Sequence, residues 1–147
     1  MRMRNEIAIA APAAAIYKLA SATERWPQIL PHYRYVRILE QNGNERLVEM
    51  AARRGFIPVR WRARQRNDPE TPLVHFTHTA GWTRGMEVAW RFGANGQLTV
   101  VTIEHDLDFA APLLNGWIGD AVIGRFFIDR IASQTLRCMK EQAERWA

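Results

Sequence analysis

The sequence predicts an α+β fold: a curved seven-stranded antiparallel sheet wrapped around one long C-terminal helix, with two short helices after the first strand. Three observations predict it. Between Pro112 and Ala147, apolar or small residues recur at Ala121, Gly124, Ile128, Ile131, Thr135 and Met139, the spacing of one helix face, and Ala132 and Leu136 widen the stripe. Between Tyr33 and Phe109, six stretches alternate in polarity and are separated by turn residues, the pattern of an antiparallel meander. The order is strand, two helices, six strands, long helix, and a helix of that length outruns a compact domain unless a sheet curves around it.

Each element has its own signal. Asn5 to Ala10 alternates, with Ile7 and Ile9 on one side, and stops at Pro12. Pro12 suits the first turn of a helix, and Ile16, Leu19 and Ala20 give that helix a face through Ser21. A second short helix is expected from Thr23, as its cap, to Leu30 before Pro31. Strands follow over Tyr33–Gln41, Glu45–Arg53, Val59–Arg66, Leu73–Thr79, Met86–Phe92 and Leu98–Phe109. Turn residues separate them at Asn42-Gly43-Asn44, Gly55 to Pro58, Asn67-Asp68-Pro69, Gly81 to Gly85 and Ala94-Asn95-Gly96. The last helix carries Asp129, Arg130, Ser133, Gln134, Arg137, Lys140 and Glu141 opposite its apolar stripe, with Lys140 and Glu144 one turn apart. Its stripe grades from small residues at Gly119, Ala121 and Gly124 to Ile131, Leu136 and Met139, which places unfilled volume near the start of the helix.

Composition narrows the functional classes. The 147 residues suit one domain over 1–147, and no internal repeat, low-complexity segment or linker divides them. No stretch approaches a membrane span, no secretory signal pattern opens the chain, and a cytoplasmic location is expected. One cysteine, Cys138, excludes an internal disulfide and reads as a packing residue. His and Cys spacing offers no metal site, and no glycine-rich phosphate loop or nucleophile elbow implies a cofactor or acyl-enzyme chemistry. The net charge of +5 comes almost wholly from arginine, since Lys18 and Lys140 are the only lysines, and favours acidic partners.

Alternation assigns the faces. Arg60, Arg62, Arg64 and Arg66 share one side of their strand and cannot be buried unpaired, so Val59, Trp61, Ala63 and Gln65 point inward. The same logic turns Val74, Phe76 and His78 inward, with Met86, Val88, Trp90 and Phe92, and then Val101, Ile103, His105 and Leu107. Two inward imidazoles either perform acid/base work near neutral pH or serve as hydrogen-bonded core residues. His32 and His75 read as exposed.

The segments ERWPQILPHYRYV (24–36), GWTRGMEVAW (81–90) and IASQTLRCMKEQAE (131–144), in this order of elements, resemble the START-like helix-grip superfamily (SRPBCC), in its polyketide cyclase/dehydrase and coenzyme Q-binding branch. The resemblance covers essentially the whole chain. It implies a helix-grip fold with a lipophilic ligand held between sheet and helix, in a superfamily that includes carriers, enzymes and ribosome-associating toxins. Trp26 and Tyr33 fall where aromatase/cyclases of this kind have a pocket tryptophan and a proton-donating tyrosine, while Trp61, Met86 and Trp90 match further pocket positions. The arginine credited in those enzymes with anchoring and catalysis falls on Gln65, which can orient a carbonyl but cannot stabilise an enolate with charge.

The expected ligand is an aromatic polyketide, lipid or isoprenoid quinone, bound by a cyclase/dehydrase-like enzyme or by a non-catalytic carrier. Tyr33, His78 and His105 are the candidates for proton transfer, with Gln65 to orient a carbonyl. Trp26, Trp61, Phe76, Met86, Trp90, Phe92, Ile103, Ala121 and Gly124 are the candidate cavity wall. The Arg60, Arg62, Arg64 and Arg66 row puts cations about 7 Å apart along a strand, a spacing suited to phosphates of RNA or the ribosome or to an acidic acyl carrier protein, unless it is only a solvated face.

Overall fold

The computed structural model describes residues 2–81, 83–107 and 118–146, and the side chains of the last helix from Arg125 to Arg145. Strand β1 (Arg2–Ile9) is followed by helix α1 (Ala13–Ser21), a 3₁₀ turn (Thr23–Arg25) and helix α2 (Trp26–Ile29). Strands β2 (Tyr33–Asn42), β3 (Glu45–Arg54), β4 (Ile57–Asp68), β5 (Leu73–Ala80), β6 (Glu87–Asn95) and β7 (Leu98–Asp106) precede helix α3 (Ile118–Trp146). All pairings are antiparallel in one sheet of order β1-β7-β6-β5-β4-β3-β2, so the first strand closes beside the last. This is the expected helix-grip arrangement. The starts of α3 and β7's continuation that the sequence suggests, at Pro112 and toward Phe109, lie outside the described residues.

Local chemistry explains the element ends. The Pro12 carbonyl accepts the N–H groups of Ala15 and Ile16 and opens α1. The helix expected over Thr23 to Leu30 is split instead. The Thr23 hydroxyl does not cap it but donates to Gln65 Oε1 at 2.7 Å, and Pro27 begins a new α-turn where its missing N–H costs nothing. β2 carries two register shifts against β3, one between Tyr33 and Tyr35 and one between Ile38 and Glu40. At Gly81, φ is +105°, and a Cβ there would come within 2.9 Å of the Arg60 carbonyl oxygen, so only glycine fits this approach of the β5–β6 loop to β4.

The face assignment holds. Val74, Phe76, Val88, Trp90, Val101 and Ile103 are buried with Ile128, Ala132, Leu136 and Met139 of α3, whereas Arg60, Arg62, Arg64 and Arg66 are exposed. The polar side of α3 departs from simple solvation, because it is latched to β1. Asn5 Nδ2 donates to Asp129 Oδ1 at 2.8 Å and Ser133 Oγ at 3.2 Å; Lys140 Nζ donates to the Ala8 carbonyl and to Glu144, which accepts the Ala10 N–H at 2.9 Å. None of the described helices is long and apolar enough to cross a membrane.

Candidate functional site

Between the concave face of the sheet and α3 lies a cavity of about 80 Å³. Its walls follow from the alternation of the strands. β4 contributes Val59 and Trp61, β5 Phe76 and His78, β6 Val88 and Trp90, and β7 Ile103 and His105, while Met86 comes from just before β6. Trp26 of α2, Tyr33 and Met50 enclose one side, and Phe127, Ile128, Ile131, Ala132 and Thr135 of α3 close it. Trp26 is the hub of the aromatic wall: its ring centroid lies 5.1 Å from Tyr33, 5.6 Å from Trp90 and 6.0 Å from Phe76, and its Nε1 donates to the Leu19 carbonyl at 3.2 Å. The volume is below the ~300–1,000 Å³ usual for drug-sized ligands, so a multi-ring molecule enters only as walls yield. Met50 and Met86, unbranched and adaptable, are the side chains best able to do so.

Three ionisable groups face this apolar space, and burial keeps all of them neutral at pH 7. The His78 ring stacks on Trp61 at 5.7 Å with an interplanar angle of 4°, and its Nδ1 is 2.7 Å from the Thr83 hydroxyl. Burial, with a smaller repulsion from His105, pushes its pKa down to about 3. Burial lowers His105 to about 4 against a weaker pull from Asp129, and its Nδ1 has no hydrogen-bond partner among the described residues. Burial raises the Tyr33 phenol well above the ordinary tyrosine range, opposed by its hydrogen bond with Thr135.

Thr135 joins Tyr33 to a further histidine, His32, in a way the sequence did not suggest. Its hydroxyl donates to the Ile131 carbonyl at 2.8 Å, so it accepts from His32, whose Nε2 lies 2.8 Å away. His32, expected at the surface, is 4% exposed: it packs edge-on to Tyr33 at 4.9 Å behind the cavity wall, and burial lowers its pKa to about 4. His75 is half-buried and lies 3.0 Å from Glu87 on the outer face.

Of the residues expected at the site, Tyr33, His78 and His105 converge on the cavity with Trp26, Trp61, Phe76, Met86, Trp90 and Ile103. Gln65 does not join them. It is fully buried beside α1, where Oε1 accepts from Thr23 and Nε2 donates to the Ser21 carbonyl and Asn67 Oδ1, both at 2.8 Å, leaving its amide fully used within the fold. Phe92 is likewise buried away from the cavity, edge-on to Tyr17 at 5.8 Å. The side chains of Ala121 and Gly124 lie outside the described residues. Thr83 and Thr135 were missed as polar wall residues; Thr135 was visible only as a hydroxyl inside an apolar stripe. No cluster of three or more His, Cys, Asp or Glu suited to a metal occurs among the described residues.

On the outer face, Arg62 Nε donates to Glu49 Oε1 at 3.0 Å, and Glu49 also holds Arg37 at 3.6 Å and the Tyr35 hydroxyl at 3.1 Å. Hydrogen bonding from Arg62 keeps the Glu49 carboxyl below its usual range. Arg60, Arg64 and Arg66 have no ion-pair partner among the described residues.

Comparison with known proteins gives the site its relatives. A family model described as polyketide cyclase/dehydrase and lipid transport matches residues 9–140. The actinorhodin polyketide synthase bifunctional cyclase/dehydratase of Streptomyces coelicolor is 30% identical over 112 residues, covering 75% of this chain but 35% of that enzyme. The chain therefore spans about a third of that relative's length. The ribosome association toxin RatA of Pseudomonas aeruginosa is 24% identical over 109 residues, 74% of this chain and 75% of the toxin. Among solved structures, the Zhui aromatase/cyclase from Streptomyces sp. R1128 superposes with a TM-score of 0.82 at 18% identity, over 99% of this chain and 94% of that one.

Proposed function

As the chain belongs to the polyketide cyclase/dehydrase and lipid transport family, we propose that it binds a flat, uncharged, ring-containing molecule of the aromatic polyketide or isoprenoid quinone class in the cavity between sheet and α3. The observation that carries this reading is the wall itself, in which three tryptophans and two phenylalanines surround polar groups that burial keeps uncharged. Rigid aromatic faces suit planar ligands, and neutral imidazole and phenol groups hydrogen-bond a carbonyl or hydroxyl without demanding a counter-charge. Titration with a small anthraquinone, followed by quenching of tryptophan fluorescence, together with native mass spectrometry of freshly purified protein, tests it. We expect saturable quenching or a co-purified lipophilic species; the absence of both overturns the reading.

A cyclase/dehydrase activity is the finer form of this proposal, supported by three proton-bearing groups around one space. It requires one of them to move a proton, yet imidazoles with pKa values of about 3 and 4 are weak bases at neutral pH. Tyr33→Phe and His105→Ala should leave ligand affinity within about tenfold, since a single hydrogen bond contributes roughly 1 kcal/mol. If turnover of a poly-β-ketone is unchanged in both variants, Tyr33 and His105 are not catalytic; if the wild type itself turns over none, the role is that of a carrier.

The unpaired Arg60, Arg64 and Arg66 favour a second reading, in which the outer face meets an acidic partner such as the ribosome or an acyl carrier protein. Co-sedimentation with ribosomes and carrier-protein binding over a salt series, for the wild type and for Arg60→Gln/Arg64→Gln/Arg66→Gln, discriminate. Loss of roughly one unit of salt slope per phosphate contact removed is expected of RNA binding, and no association at low salt removes this reading.

A further inference from the structure

The tip of the β3–β4 hairpin shares its two-residue, positive-φ glycine turn with the β2–β3 and β6–β7 hairpins, but it carries an aromatic where they carry Asn44 and Gln97. Gly55, at φ +60°, turns the chain so that Phe56 projects with 103% of its reference surface exposed and Ile57 with 52%. No described residue covers Phe56, and Ile57 is only partly covered. Phe126 of α3, 51% exposed, stands beside this tip, because the Arg54 guanidinium lies 4.4 Å above its ring and that of Arg130 5.5 Å away. Arg53 and Arg125, both exposed, adjoin Arg54 and Phe126 in sequence and add to the positive charge there. Asp129, near Phe126 and Arg125, accepts from Asn5 Nδ2. Large exposed apolar residues flanked by arginine are stable in water only at a cost in solvation, and they mark an interaction surface.

We propose that this end of the molecule docks on an anionic phospholipid bilayer, with Phe56 and Ile57 entering the headgroup and acyl boundary and Arg53, Arg54, Arg125 and Arg130 against lipid phosphates. The shape and the charge together select this occupant. A protruding aromatic tip needs a complementary pocket in a protein partner but none in a fluid interface, and the arginine cluster needs an anionic surface. Docking also has a consequence that rests on the hydrophobic-ligand reading. Val59 and Phe127, which line the cavity, adjoin the tip in sequence on β4 and α3, so the ligand site would sit close to the lipid phase.

The test is co-sedimentation of the full chain with phosphatidylcholine vesicles, with and without phosphatidylglycerol, at low and moderate salt. Binding to the anionic vesicles alone, falling with salt, is expected. Phe56→Ser/Ile57→Ser should weaken it at least tenfold, through loss of apolar burial. Arg53→Gln/Arg54→Gln should weaken it about twenty-five-fold, at about fivefold per arginine. Arg64→Gln/Arg66→Gln, on the outer sheet face, should change it less than threefold. Because Phe56 is fully exposed, its substitution leaves the fold intact, which circular dichroism checks. No binding to anionic vesicles at low salt overturns the proposal, as does equal binding by the Phe56/Ile57 variant. A dimer in sedimentation velocity that the same variant dissolves assigns the tip to a second copy and also overturns it. Failure of anthraquinone binding with vesicle binding intact would sink the ligand reading and leave the docking standing.

Discussion

The two faces of one sheet handle polar side chains in opposite ways. On β4, Gln65 is buried with every amide group used and Trp61 faces the cavity, whereas the arginines one residue away on either side are in solvent. Inside, burial keeps His78, His105 and Tyr33 uncharged; outside, several acidic and basic groups pair with one another. The outer face is itself uneven. Toward β1, β7 and β6 the basic groups have partners: Arg2 with Asp106 at 3.6 Å, Arg4 with Glu6 at 2.9 Å, Arg91 with Glu104 at 2.7 Å. On β4, Glu49 satisfies Arg62, and Arg60, Arg64 and Arg66 have no ion-pair partner among the described residues. A shift of one residue along a strand therefore changes which physical term dominates, desolvation on one side and screened Coulomb attraction on the other.

The comparison breaks first where the inner face is packed. Trp26→Ala removes the side chain that contacts Tyr33, Phe76 and Trp90, and should cost about 3–5 kcal/mol in urea denaturation; a loss below 1 kcal/mol would mean the wall is loosely packed. Gln65→Leu leaves the Thr23 hydroxyl and Ser21 carbonyl without their partner and should cost about 3 kcal/mol. Ligand affinity should stay as in the wild type, because Gln65 does not border the cavity; a large affinity loss would return it to the site.

Acid acts on the same inner groups. His105 has a folded-state pKa near 4, below its ordinary 6.5, so between those values the unfolded chain takes up the proton first. The associated stability is whole above pH 6.5 and is lost as pH falls toward 4. Per buried histidine this amounts to roughly 2 kcal/mol between pH 7 and pH 5. The difference in stability between the two pH values should shrink by about that amount in His105→Leu, with His32 and His78 still contributing theirs; an unchanged difference would show that His105 is solvated. The smallest effect belongs to the outer row. Arg60→Gln/Arg64→Gln/Arg66→Gln should move stability by no more than about 0.5 kcal/mol, as exposed substitutions do, and a larger loss would reveal ion pairs that make the two halves of the outer face alike.

Most of this division was legible in the sequence. Period-two alternation with four arginines on one side of β4 is enough to orient that strand, and short turns carry the orientation to its neighbours. What escaped were contacts made across long separations. His32 follows Leu30-Pro31, where no period exists to assign a face, and its burial is fixed by Thr135, 103 residues further on. Gln65 was correctly turned inward, but whether it meets a ligand or the fold depends on where α1 and the 3₁₀ turn settle, and Ser21 and Thr23 claim it. Phe92 also points inward, yet Tyr17 of α1 covers it before the cavity is reached. Phe56 read only as part of a turn, since local patterning cannot tell a covered loop aromatic from a projecting one.

An open sheet has two unpaired margins, and here they are protected differently. The β1 margin is occupied by the last turns of α3, through Lys140 on the Ala8 carbonyl and Glu144 on the Ala10 N–H. Among the described residues the β2 margin has no such cover, and Ile38 and Leu39 are exposed side by side. Its two register shifts bend the strand out of the regular hydrogen-bonding repeat that another chain would need as a template. The irregular pairing of β2 thus acts as a guard against strand-to-strand aggregation, allowing an apolar edge to remain in water without seeding fibrils.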